Sequence, residues 1–279
     1  MGEDEEIDLI HFVVALQAEA RPLIRHFGLK AVHGSESFSR YEEEEMRLVV
    51  SGVGKSASAA ATAFLHGVTG EERNVVWINV GVGGHRDLDI GEGVLAHKVT
   101  DKARGESWYP PQLFDTSFTT GPVLTVDEAE VNYDGPWVYE MEASGFYSTA
   151  CRFSVAELVQ CLKIVSDNLE SPLDQVSIEK VDELIGSRLP LVEQIVRSTA
   201  ELEGELEAIE ADPAELTDFL DRWRFTVSEQ HQLKRLLRRL QTLSLRTNIL
   251  NKNMQSLEKG KAVLARLEEQ LDHLVMEGI

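Results

Sequence analysis

Residues 1–185 predict an α/β layered fold with a substantially parallel sheet, and residues 186–279 predict an all-helical domain. Three observations carry this expectation. Up to about residue 166, short Val- and Ile-rich runs alternate with helix-like stretches, the pattern of strand and helix layers. Glycine is frequent as far as Gly145 and sparse beyond it. Charge breaks in the same way: residues 1–184 carry 14 basic against 32 acidic side chains, and residues 185–279 carry 13 against 16.

Taken in order, the runs Asp8–Leu16, Arg47–Ser51, Val75–Val80, Gly93–Val99 and Cys161–Ser166 have the length and composition of buried strands. Glu19–Phe27, Ser56–His66 and Ala143–Leu158 read as helices. In the last third, Leu191, Ile195, Val196, Leu202, Leu206 and Ile209 recur every three or four residues, the spacing of one helix face. Asp212-Pro213 pairs an N-cap residue with a proline suited to a first helical position, so a new helix is expected there. Thr226-Val-Ser-Glu229 has the form of a capping box and should open another, with Leu233, Leu236, Leu237 and Leu240 inward. A final helix through Leu257, Leu264, Leu267, Leu271 and Leu274 should reach Met276. These elements make a helical bundle or antiparallel hairpin, suited to oligomerisation.

The 279 residues are 43% hydrophobic and 27% charged, which excludes a mostly disordered chain. The formal net charge of −21 repels polyphosphates, so nucleic acid is not an expected partner. Cys151 and Cys161 are too few for a disulfide framework and fit a reducing compartment. The acidic start lacks the positive charge of a secretory signal, and the apolar run Phe12–Leu16 is far too short to cross a bilayer. A cytoplasmic protein without a membrane partner, a metal or an organic cofactor is expected.

Four short segments could carry chemistry. Ser51-Gly-Val-Gly-Lys-Ser56 feeds a glycine turn into a helix N-terminus, which favours anions or polar ligand edges. A triphosphate loop is disfavoured because Val49 stands where that motif needs its first glycine; a tight turn with Lys55 in solvent is the plainer reading. Asn79-Val-Gly-Val-Gly-Gly-His85 follows a buried strand, and its glycines let backbone approach a ligand. Glu140-Met-Glu-Ala-Ser-Gly145 opens a helix, and carboxylates at i and i+2 diverge, so at most one should enter a pocket. Ile164-Val-Ser-Asp-Asn168 puts an aspartate at a strand's carboxyl end, where open α/β sheets bind ligands.

Taken together, the buried strand followed by Ala15-Leu-Gln-Ala-Glu-Ala-Arg21, then Ser51-Gly-Val-Gly-Lys55, Asn79-Val-Gly-Val-Gly-Gly84, Glu140-Met-Glu-Ala143 and Val165-Ser-Asp167, resembles the nucleoside phosphorylase superfamily. The likeness is greatest to its methylthioadenosine/S-adenosylhomocysteine nucleosidases and hopanoid-associated phosphorylases. It covers residues 8–185 and is most specific at Met141-Glu142-Ala143 with Ser166-Asp167. It implies a three-layer α/β fold with a central mixed sheet. It also implies cleavage of the N-glycosidic bond of a purine nucleoside or 5′-modified adenosine.

By that resemblance, Glu142 would accept hydrogen bonds from the ribose hydroxyls, with Met141 packed on the sugar. Asp167 would protonate or hydrogen-bond the departing base, oriented by Ser166, and Gly81, Val82 and Gly83 would line the substrate. The nucleosidases' water-activating glutamate aligns with Ala18, which leaves Glu19 as the candidate base, although one residue's shift turns a helical side chain by about 100°. The family's serine is Val82 here, and its arginine is Lys163. Arg21 and Gly54 are candidate anion ligands and phosphate a candidate co-substrate, but Asn79 and Val82 stand where phosphorolytic relatives carry arginine and serine, which favours water. Trp108, Tyr109 and Trp137 could stack on the base or simply pack, and His85 reads as a surface turn histidine. Relatives are dimers or larger, so a homo-oligomer is expected. Lys234, Arg235, Arg238 and Arg239, beside His231, form a basic face whose first-ranked partner is the acidic first domain. The alternative to an enzyme is a catalytically weak nucleoside-binding module signalling through its helical tail, for which Ala18 and Val82 speak.

Overall fold

A strand buried on both faces needs neighbours on both edges and helices above and below. The first apolar run meets that requirement as β1 (Ile10–Val14), buried throughout, in a computed structural model that describes residues 9–32, 37–70, 74–113, 119–210, 212–243, 254 and 257–276. There follow α1 (Gln17–Phe27), β2 (Lys30–Ala31), β3 (Ser39–Glu43), β4 (Met46–Val50), α2 (Lys55–Thr69), β5 (Val76–Gly84) and β6 (Gly93–Asp101). Next come β7 (Ser107–Trp108), β8 (Thr119–Thr125), β9 (Val138–Glu140), α3 (Ala143–Ala150) and β10 (Val159–Asp167). The remaining helices are α4 (Ile178–Ser187), α5 (Leu189–Glu210), α6 (Leu216–Arg222), α7 (Val227–Leu243) and α8 (Gly260–Met276).

The sheet is mixed, which corrects the substantially parallel sheet expected from strand–helix alternation alone. β4, β1, β5 and β10 run parallel, but β10 meets β6 antiparallel and β9 meets β5 antiparallel. β6, β8 and β9 pair in parallel, so β10–β6–β8–β9–β5 closes on itself through the β5–β10 ladder. β4, β3 and β2 continue from β1 as an open flank. The strands that apolar runs did not reveal are short or polar: β3 reads Ser-Arg-Tyr-Glu-Glu and is half-exposed, as an outer antiparallel strand can be.

Helices cover both faces. Ala20 and Leu23 of α1, Val181 and Ile185 of α4, and Val192 and Ile195 of α5 pack with Phe12, Leu48, Ile78 and Ile164. On the opposite face, Ala61 and Leu65 of α2 and Phe146 and Ala150 of α3 pack with Val13, Trp77 and Val165. Helix α3 stops at Ala150, well short of the expected Leu158. Phe153 leaves the helical path to stack on His66, ring centroids 3.9 Å apart, beside Trp77.

The chain divides into two compact units, residues 1–207 and 208–279. The division falls later than residue 185 because Val192 and Ile195 belong to the first unit's core. The second unit buries Phe219, Trp223, Leu233, Leu237, Leu264 and Leu267 among α6, α7 and α8. The capping box of α7 forms: Glu229 Oε2 accepts the Thr226 N–H at 2.8 Å, and the Glu229 N–H reaches Thr226 Oγ1 at 3.4 Å. Asp212-Pro213 opens no helix. Instead α6 starts at Leu216, whose N–H turns back to the Pro213 carbonyl, and the Asp212 carboxylate takes Lys234 Nζ at 2.7 Å. Two members of the basic face, Lys234 and, at 4.0 Å, Arg238, thus meet an acid of their own unit, while Arg235 and Arg239 are exposed. Leu257 precedes α8, and the side chains of Ile209 and Leu274 lie outside the described residues. Among the described residues, no helix is long and apolar enough to cross a membrane.

His11 is a liability built into β1. It is fully buried with neither ring nitrogen hydrogen-bonded, edge-on to Trp77 at 4.4 Å between centroids. Burial, aided by Arg47 and His66 nearby, lowers its pKa from 6.5 to about 3. Unfolded chains take up this proton first, so folding stability is lost as pH falls from 6.5 towards 3. The loss should approach about 1.4 kcal/mol per pH unit for this one group. His11→Phe is expected to flatten that part of the profile, measured by urea unfolding at several pH values; parallel profiles for the two proteins would contradict the assignment.

Candidate active site

Because β1, β5 and β10 are parallel neighbours, their carboxyl ends open on one edge of the sheet, where α/β folds bind ligands. That edge gathers Ala15 and Leu16, then Val82, Gly83 and Gly84, then Ser166 and Asp167. β9 joins β5 at Gly84 and brings Glu140, Met141 and Glu142 to the same place. With Val53, Val126 and Leu173, these segments line a solvent-open cleft of about 640 Å³.

Beneath the cleft lies Lys163, 1% exposed, with Nζ 2.9 Å from Glu140 Oε2. Glu140 also accepts from the Thr125 hydroxyl at 2.6 Å and from the N–H groups of Glu142 and Ala143 at 2.9 and 2.7 Å. Burial alone would raise its pKa, but Lys163 and these donors outweigh burial and hold Glu140 below the usual carboxylate range. Burial likewise opposes a charged lysine, yet Glu140, Glu142 and Glu19 together push Lys163 well above its ordinary value. Both Glu140 and Glu142 line the cleft, which corrects the expectation that at most one would. Their roles differ, because the Glu140 carboxylate is saturated by the protein's own donors.

Glu19 closes the first turn of α1. Its Oε2 accepts the N–H groups of Ala15 and Leu16 at 2.8 and 2.9 Å, and its Oε1 accepts that of Val82 at 3.0 Å. Burial raises its pKa, opposed by Lys163 and the three backbone donors. Ala18 turns away into the hydrophobic core, so the residue facing the cleft is Glu19. Val82 brings no hydroxyl, but its backbone N–H fixes the Glu19 carboxylate.

Glu142 sits at the start of α3, and its Oε1 accepts the Gly54 N–H at 2.8 Å. Burial, set against the attraction of Lys163 and reinforced by the repulsion of Glu140, raises its pKa to about 7. Gly54 therefore does bind an anion, but that anion is the chain's own carboxylate. Asp167 accepts hydrogen bonds at both oxygens, from the Ser166 hydroxyl at Oδ1 and the Tyr133 hydroxyl at Oδ2. Gly84 makes room for this arrangement: a Cβ there would stand 2.5 Å from Asp167 Oδ2 and against the Tyr133 ring.

Other expected residues fall elsewhere. Gly81 lies behind the cleft wall, where a Cβ would meet Glu19 Oε1 at 3.0 Å and Lys163 Nζ at 3.2 Å. Arg21 is exposed and is absent from the cleft lining. Lys55 is not free in solvent but pairs with Asp101 at 3.0 Å and Asp127 at 2.8 Å. His85 is buried, its Nδ1 accepting the N–H groups of Asp87 and Leu88, so it organises a turn rather than lying on the surface. Trp108, Tyr109 and Trp137 do not line this cleft; the Lys98 ammonium stands 5.7 Å from the Tyr109 ring and 5.2 Å from that of Trp137. Sequence reasoning missed Thr125 and Tyr133. Tyr133 sits in Asn132-Tyr-Asp-Gly135, where turn chemistry is legible but the aim of the side chain is not. Among the described residues, no group of His, Cys, Asp and Glu is placed to hold a metal ion.

Solved structures share this architecture. The 5′-methylthioadenosine nucleosidase of Arabidopsis thaliana is 18% identical and superposes with a TM-score of 0.56, covering 69% of this chain and 96% of its own. The 5′-methylthioadenosine/S-adenosylhomocysteine nucleosidase of Colwellia psychrerythraea, solved with adenine, is 18% identical with a TM-score of 0.53, covering 69% and 96%. That of Streptococcus pneumoniae (S. pneumoniae), solved with a transition-state inhibitor, is 18% identical with a TM-score of 0.52, covering 67% and 97%. This chain therefore has the fold of the methylthioadenosine/S-adenosylhomocysteine nucleosidases, the mixed-sheet fold expected from its motifs. No protein-family model and no curated protein sequence matches it.

Lys163→Met would leave Glu140 buried without its cation. Breaking such a pair should cost about 3–5 kcal/mol of stability by denaturant unfolding. A loss below about 1 kcal/mol, the value of an exposed pair, would contradict the role given to Lys163.

Proposed function

We propose that this cleft cleaves the N-glycosidic bond of a purine nucleoside, with 5′-modified adenosines as the substrate class. The observation that carries the reading is the convergence of Glu19, Glu142 and Ser166-Asp167 on one cleft whose remaining walls are largely apolar. Bond cleavage leaves the electron pair on the base and positive charge on the sugar. Asp167 delivers or shares a proton with the departing base, and Glu142 accepts hydrogen bonds from the ribose hydroxyls beside the charge that develops. Glu19 takes the proton of the water that bonds to the anomeric carbon. A buried carboxylate with a raised pKa suits that task, since a base works best near the ambient pH.

Water is favoured over phosphate because no Arg or Lys appears among the described residues lining the cleft. Lys163 lies below the floor and is spent on Glu140. Leu16, Val53, Val126, Met141 and Leu173 offer apolar surface to a substituent or base. The binding-module alternative loses one support, since Glu19 faces the cleft where Ala18 does not.

The test is release of free base from methylthioadenosine, S-adenosylhomocysteine, adenosine and inosine, with and without phosphate. Asp167→Asn and Glu19→Gln are each expected to lower turnover at least about 100-fold, the usual worth of a general acid or base. Ligand-induced stabilisation with no release from any substrate would instead support the binding module. Glu142 must be ionised to accept from two hydroxyls, so nucleoside affinity should rise as pH increases through about 7. Glu142→Gln should abolish that rise in calorimetric titrations; an unchanged pH dependence would remove Glu142 from the sugar site.

A further inference from the structure

We propose that Tyr133 competes with the departing base for Asp167 and thereby sets how tightly the cleft holds a base. The inference rests on the reading of Asp167 as the base-side acid. It starts from a backbone outlier. Tyr133 has φ +47°, a left-handed conformation that is strained for a large L-residue and persists only where its surroundings impose it. Those surroundings are built. Glu130 accepts from Lys102 Nζ at 3.0 Å and from the N–H groups of Val131 and Asn132 at 3.2 and 3.1 Å. The Gly135 N–H is held by the Tyr139 hydroxyl at 2.8 Å, and the Tyr133 and Tyr139 rings pack at 5.7 Å between centroids. The loop between β8 and β9 is thus clamped so that a 2%-exposed ring carries its hydroxyl to Asp167.

The contact falls on the cleft-lining carboxylate that the proposed function assigns to the base. Asp167 Oδ1 already serves Ser166. Oδ2 is walled on one side by the Gly84 backbone, with no room even for a methyl group, and closed on the other by Tyr133. A nucleobase nitrogen that binds Oδ2 must share that oxygen with the phenol. Burial and the bond to Asp167 keep that phenol protonated far into alkali, so it is a permanent donor. A base at Oδ2 therefore competes with the phenol for the same oxygen, and whatever the phenol's bond loses is subtracted from affinity. An ordinary wall residue would add to affinity.

The sign of one substitution separates these roles. Tyr133→Phe keeps the ring and frees Oδ2. It should tighten adenine binding about tenfold, the worth of roughly one hydrogen bond, by calorimetry on the full chain. Tyr133→Gly, which suits the left-handed backbone, should tighten it as well. The gain should vanish when Asp167→Asn is present. Adenine binding that is unchanged or weaker in Tyr133→Phe, with wild type still releasing base, would overturn the proposal and leave the nucleosidase reading standing. Absence of adenine binding and base release in wild type and in both Tyr133 variants would overturn both.

Discussion

One buried ammonium group organises the cleft. Lys163 stands at the floor with Glu140 against it, and Glu19 and Glu142 close enough to act on its charge. Three ionised carboxylates around one cation would leave net negative charge in a poorly solvated space, which is costly. The cluster answers by unequal protonation. Glu140, saturated with donors, stays ionised, while Glu142 is raised to about 7 and Glu19 is raised as well. Of these three acids, all lining the cleft, the two whose pKa is raised are therefore the two that the protein's own donors leave less fully charged. Three segments distant in sequence meet in this cluster: the start of α1, the junction of β9 with α3, and the middle of β10.

The sheet makes that meeting unavoidable. Parallel pairing of β1, β5 and β10 places their carboxyl ends together, and the antiparallel contact of β9 at Gly84 delivers the Glu140–Glu142 segment from the opposite direction. An all-parallel sheet would not bring that segment to the same edge in this orientation. Gly84 lies at the crossing, and its missing side chain is occupied by Asp167 and Tyr133. Fold and site are thus coupled through close backbone approach as much as through charge.

Much of this was legible in the residues. The apolar runs at β1, β4, β5, β6 and β10 announced buried strands, since fully buried strands need apolar side chains on both faces. That Glu142 and Ser166-Asp167 would share one cleft was legible from the family resemblance at Met141-Glu142-Ala143 and Ser166-Asp167, with the strand end a supporting signal. Polar, short strands such as β3 carry no such signal, and so the mixed character of the sheet was not readable from alternation. Glu140 read as one more first-turn acid, because nothing local reveals that Thr125 and Lys163 will surround it. Tyr133 was invisible for a similar reason: its role depends on Glu130, Lys102 and Tyr139 clamping a turn, which is tertiary information. At Ala18 and Glu19 the sequence alone could not say which side chain faces the cleft; the first helical turn decides, since the Glu19 carboxylate reaches back to Ala15 and Leu16.

In the proposed function, Glu142 and Asp167 grip the two ends of a nucleoside above a floor held by Lys163. The most direct measurement is a crystal structure of the chain with an uncleavable purine nucleoside analogue. The expected result is ribose hydroxyls on the Glu142 carboxylate, the base at Asp167 beside Gly84, and Lys163 still on Glu140 without touching the ligand. A nucleoside bound outside this cleft, or held in it directly by Lys163 with Glu142 out of reach, would contradict it.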